Sequence, residues 1–156
     1  MSNPVKPDPE LLRQWLADAR VKYHECGQCE GLHIAALQDV EGMIDSRLFL
    51  EPWGLLLTSE LEIRPMALLP LAADLGRMNM DYPTLKLFQD VVDDATPQLV
   101  AAGILPAAAG LTLEQVANFL SMTIAATRQL AEECLQLNYL FAQSEGPQPG
   151  SASALH

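Results

Sequence analysis

The sequence has few basic residues and no long apolar run. Lys and Arg together number nine among 156 residues, against 20 Asp and Glu, and the formal net charge at pH 7 is −11. Binding to nucleic acid or to anionic lipid requires clustered cations that neutralise phosphate, so this charge argues against both kinds of partner. No segment reaches the run of about 20 apolar residues that a membrane-spanning helix needs. We therefore expect no nucleic acid and no membrane among its partners.

Motifs of known catalytic sites are also missing. The chain contains no G-x-S-x-G, no G-x-x-x-x-G-K-[ST], no G-x-G-x-x-G and no H-E-x-x-H, which excludes the common hydrolase, nucleotide-binding and metalloprotease patterns. No nucleophile, base and orienting acid can be grouped from the sequence. The prediction is a protein without enzymatic activity and without a cofactor.

Cysteine is scarce, and its count is odd. The three residues are Cys26, Cys29 and Cys134, which fits a reducing compartment better than a secreted disulfide framework. Residues 1–10 are polar and rich in proline, unlike the basic and then apolar start of a signal peptide. A cytoplasmic location is therefore expected.

The composition is that of one globular domain, because 49% of the residues are hydrophobic and 19% are charged. We predict a flexible N-terminus over residues 1–8, a folded domain over residues 9–142 and a disordered tail over residues 143–156. The tail consists mainly of Gly, Pro, Ser and Ala and has no pattern that could form a core.

The pattern of apolar residues predicts an α+β fold. Asp8-Pro9-Glu10 is a helix start, and apolar residues then recur at helical spacing up to Arg20. Residues 21–64 alternate as strands do, a middle helix is expected within residues 66–79, and two further strands within residues 84–105. The sheet should be antiparallel with about five strands, and the middle helix and a long C-terminal helix should pack on it.

The long helix has the clearest start signal. Thr112 and Gln115 form a capping box, and only four charged residues occur between Leu113 and Leu137. Two adjacent apolar stripes result, although an ordinary surface helix has one. The first can cover the sheet, and the second is predicted as a protein interface, with a homodimer expected; its residues are Phe119, Met122, Ala126 and Leu130.

One cluster could carry chemistry: His24, Cys26, Cys29 and His33. If Gly27 and Gln28 form a two-residue hairpin turn, all four side chains project from one face. Two thiolates and two imidazoles could then bind zinc. A redox-active dithiol is a second interpretation. In the third, the cysteines are small apolar side chains and the histidines have no special role.

Three segments carry a family resemblance. They are Leu12-Arg13-Gln14-Trp15-Leu16, the stretch from Glu25 to His33, and the stretch from Ile63 to Leu75 with its Leu69-Pro70-Leu71-Ala72-Ala73-Asp74-Leu75 block. Together they resemble the bacterial YbjN family. The resemblance implies a fold like that of type III secretion chaperones, with a curved antiparallel sheet and helices on one face. It also implies a bacterial sensory transduction regulator, linked to the stress response, without enzymatic activity. Cys26, Cys29 and His33 match the family's motif, whereas His24 does not.

These observations predict a non-enzymatic regulatory or chaperone-like protein-binding module, whose protein partner or client the sequence does not identify. The alternative hypothesis is a zinc or redox sensor that uses Cys26, Cys29 and His33.

Overall fold

A computed structural model of the chain describes residues 3–91 and 96–141. The expected tail, residues 143–156, lies outside the described residues. The helices are α1 (Pro9–Asp18), α2 (Ala35–Gln38), α3 (Leu68–Asp81) and α4 (Leu113–Gln136), with a 3-10 turn at Pro65–Ala67 before α3. The strands are β1 (Tyr23–His24), β2 (Leu32–Ile34), β3 (Met43–Glu51), β4 (Gly54–Glu62), β5 (Lys86–Asp90) and β6 (Gln98–Pro106).

All six strands of the described ranges belong to one antiparallel sheet. Their order across the sheet is β1-β2-β3-β4-β6-β5. The predicted α+β class is confirmed, with one strand more than the expected number of about five. None of the helices in residues 3–91 and 96–141 has the length and apolarity that crossing a membrane would require.

The first hairpin differs from the prediction. The strand pattern predicted across residues 21–64 is interrupted here, because β2 ends at Ile34 and α2 follows it directly. The segment Ala35-Ala36-Leu37-Gln38 consists of strong helix formers, and this local preference outweighs the strand pattern. Leu37 of α2 is fully buried in the core.

The predicted helix starts are confirmed. The side chain of Asp8 accepts a hydrogen bond from the N–H of Leu11 at 2.7 Å, and Pro9 occupies the first turn of α1. At α4, the hydroxyl of Thr112 accepts from the N–H of Gln115 at 3.2 Å, and the side chain of Gln115 accepts from the N–H of Thr112 at 2.9 Å. Both caps satisfy backbone donors that would otherwise lack partners.

The core lies between the helices and one face of the sheet, in two apolar clusters. One cluster lies under α1 and includes Leu16 and Leu48, and the other lies under α3 and the end of α4 and includes Leu71 and Leu130. Leu130 is fully buried within the chain's own core, so its prediction as an interface residue was wrong.

The N-terminal segment is attached to the loop before α4. Val5 and Leu111 form an isolated antiparallel bridge, with N–H to O distances of 2.9 Å and 2.7 Å. Pro7 is buried. These contacts differ from the flexible segment expected over residues 1–8.

Candidate functional site

The β1–β2 hairpin carries the cysteine and histidine cluster. Its strand register pairs Tyr23 with Ile34 and His24 with His33. Residues 25–31 therefore form a long connection, and the predicted two-residue turn at Gly27 and Gln28 was wrong.

Within this hairpin, three of the four predicted side chains converge. The Sγ atoms of Cys26 and Cys29 are 3.3 Å apart, and the Sγ of Cys29 is 3.5 Å from the Nε2 of His33. The possible ligand atoms of these three residues all lie within 4.8 Å of one another. His24 is not part of this group. Its ring stacks on that of His33, with centroids 4.5 Å apart and an angle of 9° between the ring planes.

Local backbone features place the two thiols. Gly27 has a φ of 75°, in the region that favours glycine, and the chain then turns so that the N–H of Gln28 donates to the Sγ of Cys26 at 3.4 Å. A Cβ at Gly31 would come within 2.9 Å of the Phe49 ring, so glycine allows the loop to lie against β3. Arg13 of α1 contacts Glu25 at 2.7 Å and ties the loop to the first helix.

Asp45, which the sequence did not indicate as a site residue, orients the imidazole of His33. The Nδ1–H of His33 donates to Oδ1 of Asp45 at 2.9 Å, which directs Nε2 towards the thiols. Asp45 also accepts from Gln38 at 3.2 Å and from the N–H of Ser46 at 2.8 Å. This arrangement follows from the register between β2 and β3 and from an irregularity between Met43 and Asp45. The spacing of residues along the sequence indicates neither feature.

The electrostatics of the cluster favour charged forms. The hydrogen bond that His33 donates to the carboxylate of Asp45 raises the pKa of His33 to about 9. The N–H of Gln28, followed by the side chain of His33, lowers the pKa of Cys26 to about 6. Without a bound ion, the cluster near pH 7 therefore holds a thiolate beside an imidazolium. A thiolate is the form of cysteine that binds metals and reacts with electrophiles.

A second candidate site is a groove between α4 and β6. It has a volume of about 580 Å³. Its lining includes Phe119 and Met122 of the predicted interface, together with Ile104 of β6. Met122 is 49% exposed and Ile104 57% exposed. Ala126 lies outside the groove and packs partly against the core, so the predicted stripe contributes Phe119 and Met122 to this surface.

The backbone of β6 is open along this groove. β4 pairs with all of β6 as far as Pro106, whereas β5 pairs only up to Ala102. Among the described residues, the stretch 103–106 thus has a strand on one side only. Alternate residues of an antiparallel strand direct their N–H and C=O groups to the same side. Because the N–H of Ala107 donates to Trp53 beside β4, the groups left on the groove side are the N–H and C=O of Ile104 and the C=O of Pro106.

Comparison with known proteins gives consistent matches. The YbjN family model, described as "Putative bacterial sensory transduction regulator", matches residues 8–136. "Uncharacterized protein YbjN" of Escherichia coli strain K12 and the protein of the same name from Shigella flexneri are each 40% identical over 119 residues, which cover 76% of this chain and 75% of theirs.

Two solved structures share the fold. One is described as the crystal structure of YbjN, a putative transcription regulator from E. coli; it matches with a TM-score of 0.86 and 34% identity, over 90% of this chain and all of that one. The other, an uncharacterized protein from Methanothermobacter thermautotrophicus, matches with a TM-score of 0.52 and 8% identity, over 83% of this chain and 97% of that one. At this identity the second match concerns the fold alone. The likeness to secretion chaperones stays an expectation from the sequence resemblance.

Proposed function

Since the chain belongs to the YbjN family, we propose that it is a non-enzymatic regulatory protein that binds an extended segment of a partner protein between β6 and α4. The observation that carries this proposal is the open edge of β6 at residues 103–106, next to the apolar side chains of Phe119 and Met122. A cytoplasmic location is part of the proposal, and the odd number of cysteines supports it.

Strand addition is the binding mode that suits this edge. An extended peptide can pair with an exposed strand, so that main-chain hydrogen bonds give affinity and side-chain contacts give specificity. The N–H of Ala107 donates to the C=O of Trp53, so Gly103 and Leu105, at the same parity, direct their N–H and C=O groups to β4. On the open side Ile104 provides an N–H and a C=O, whereas Pro106 provides only a C=O and ends the stretch. A short extended segment would lie beside Ile104, between α4 and residues 83–85, which precede β5 and also line the groove.

Side chains of the bound segment would alternate between two surfaces. Those that point towards α4 would meet Phe119 and Met122, and those that point to the other face of the sheet would meet Ile104. Burial of this apolar surface stabilises the complex by roughly 25 cal/mol per Å² before the entropic cost of ordering the peptide. Apolar residues at every second position of the partner are therefore expected.

The net charge of the chain predicts which residues flank the apolar positions of the partner segment. With a net charge of −11, the chain repels acidic segments and attracts basic ones. Lys86 is among the groove-lining residues, but it is a single cation. We infer a partner segment with alternating apolar residues and flanking Lys or Arg. The association rate should then fall as the salt concentration rises.

Peptide selection tests this proposal. Random ten-residue peptides displayed on phage are selected against the full chain, and the winners are synthesised and titrated. The expected result is that Met122→Glu weakens their binding at least tenfold, which is about 1.4 kcal/mol, because a carboxylate would replace an apolar contact. Met80→Glu is the matched control, because Met80 is exposed on α3 outside the groove. The affinity of this variant for the selected peptides should stay within twofold of that of the unchanged chain.

Three outcomes would overturn the proposal. One is that selection yields no binding peptide, and another is that Met122→Glu binds the selected peptides as tightly as the unchanged chain. The third is a dimer that forms through the groove. In that case the amide signals of residues 103–105 would shift with protein concentration in the absence of peptide, sedimentation would show a dimer, and Met122→Glu would abolish both effects. The groove would then hold a second copy of the chain. The homodimer expected from the sequence stays a prediction, which this sedimentation experiment tests.

A further inference from the structure

We propose that Cys26, Cys29 and His33 form a zinc-binding site with three protein ligands and a fourth position open to solvent. The inference rests on the β1–β2 hairpin and is independent of the groove between β6 and α4, so either proposal can fail without the other.

The ligand atoms are spaced nearly as in a tetrahedral zinc site. With Zn–S bonds of about 2.3 Å and Zn–N bonds of about 2.0–2.1 Å, tetrahedral angles place two sulfur ligands about 3.8 Å apart and a sulfur and a nitrogen about 3.6 Å apart. The observed Sγ–Sγ distance is 3.3 Å, and the distance from the Sγ of Cys29 to the Nε2 of His33 is 3.5 Å. Movements of a few tenths of an ångström would therefore be enough to bind the ion.

The types of ligand select zinc over the common alkaline-earth ions. Mg²⁺ and Ca²⁺ bind oxygen ligands, whereas two thiolates and an imidazole suit Zn²⁺. Asp45 does not replace one of these ligands, because its Oδ1 contacts the Nδ1 of His33. That leaves Nε2 as the coordinating nitrogen of His33.

The surroundings of the three residues resemble those of bound-metal sites. A histidine ligand usually donates its second N–H to a carboxylate, which fixes the orientation of the ring, and Asp45 fulfils this role here. Gln38 and the N–H of Ser46 hold Asp45 in turn. The N–H of Gln28 points to the Sγ of Cys26 and stabilises its thiolate form. Arg47 pairs with Glu60 at 2.7 Å, lies 3.8 Å from Asp45 and interacts with the side chain of Cys29, so a cation adjoins the cluster as well.

The fourth position is on the exposed side of the cluster. Cys26 is exposed, Cys29 is partly buried and His33 is buried, so the accessible side of the ion would be the one next to Cys26. His24 stacks flat on the ring of His33 and is absent from the group of converging ligand atoms. Water or an incoming ligand would complete the coordination, as in zinc sites that exchange a ligand.

Zinc titration of the full-length, tag-free, reduced chain tests this inference. The chain competes for Zn²⁺ with a chromophoric chelator, and Co²⁺ serves as a spectroscopic probe. We expect one ion per chain, and a Co²⁺ spectrum with thiolate charge-transfer bands and the strong visible absorption of tetrahedral coordination. Cys29→Ser and His33→Gln should each lower the Zn²⁺ affinity at least 100-fold. Asp45→Asn should lower it by about 10- to 100-fold, because the orienting carboxylate is lost.

His24→Gln is the matched control, because it removes an imidazole from the same hairpin without removing a converging ligand. Its zinc affinity should stay within threefold of the unchanged chain. Circular dichroism of each variant without zinc checks that the fold persists, so that a loss of affinity is a loss of ligand.

Several results would overturn the inference. One is a chain in which the thiols of Cys26 and Cys29 both titrate as free and which still binds no zinc. Another is that the Cys29→Ser variant binds zinc as tightly as the unchanged chain, because the ion would then lie elsewhere. A third is an equal loss with His24→Gln and with His33→Gln, which would indicate a four-ligand site. A fourth is a Cys26–Cys29 disulfide that persists under reducing conditions, because its S–S length of about 2.05 Å excludes zinc between the sulfurs.

Discussion

Gly103 of β6 lies directly against Thr123 of α4. A Cβ atom at Gly103 would come within 2.9 Å of Cγ2 and 3.2 Å of Oγ1 of Thr123, closer than ordinary van der Waals contact. Thr123 is only 3% exposed. Glycine at this position therefore lets α4 approach the sheet where the open edge of β6 begins, and this close approach forms one wall of the groove.

The contact predicts a coupled pair of substitutions. Gly103→Ala should lower the free energy of unfolding by about 1–3 kcal/mol, because the added methyl overpacks a closely packed site. Thr123→Ala removes both of the atoms that the methyl would meet, so the double variant should be more stable than the sum of the two single changes predicts. Urea unfolding of the four proteins measures this coupling. Additive effects would contradict the close contact.

Leu130 and Met122 should respond very differently to truncation, although the sequence placed them in one stripe. Leu130→Ala should lower the free energy of unfolding by about 2–5 kcal/mol, because Leu130 is fully buried in the cluster under α3. Met122→Ala should change it by about 0.5 kcal/mol or less, as expected for an exposed side chain. Chemical denaturation measures both values. Equal losses for the two variants would show that the outer side of α4 is covered.

The contrast between these residues shows what periodicity can predict. The helix, its capping box and its two apolar stripes follow from residues close together in the chain, and the structure confirms the helix and its cap. Which stripe is covered depends on neighbours distant in sequence. Thr123 and Thr127 are buried where α4 crosses the sheet, and their small side chains allow the close approach. Because threonine is polar, a pattern of apolar residues does not include them.

The two candidate sites differ in the same way. Cys26, Cys29 and His33 are close in sequence, so their spacing was enough to group them. Asp45 joins them only through the register of β2 with β3. The groove depends on β5 ending its pairing at Ala102 while β6 continues to Pro106. Strand order and relative strand length are long-range properties, which explains why the sequence did not predict the open edge.

Acid should weaken the connection between α3 and the C-terminal end of the described chain. Asp74 accepts two hydrogen bonds from Arg77, both at 2.7 Å, and one from the hydroxyl of Tyr139 at 3.1 Å. The hydrogen bonds from Arg77 lower the pKa of Asp74 in the folded chain. The folded state thus favours the charged form, and this stabilisation is present above the ordinary value of about 3.9 and is lost as the pH falls through the lowered pKa.

Asp74→Asn should therefore reduce the loss of stability between about pH 4 and pH 2, because the group that must be protonated is gone. Urea unfolding at a series of pH values measures the slope. Asp18→Asn, at an exposed position at the end of α1, is the control. If Asp74→Asn and the control show the same slope as the unchanged chain, the contact with Arg77 contributes nothing to acid sensitivity.

Amide hydrogen exchange with a selected peptide tests strand addition to β6 most directly. We predict that saturating peptide slows exchange of the Ile104 amide at least tenfold. The amides of Gly103 and Leu105, which face β4, and that of Val100, which lies opposite Phe88 of β5, should change less than twofold. A peptide that binds with full occupancy and leaves exchange of the Ile104 amide unchanged would contradict strand addition.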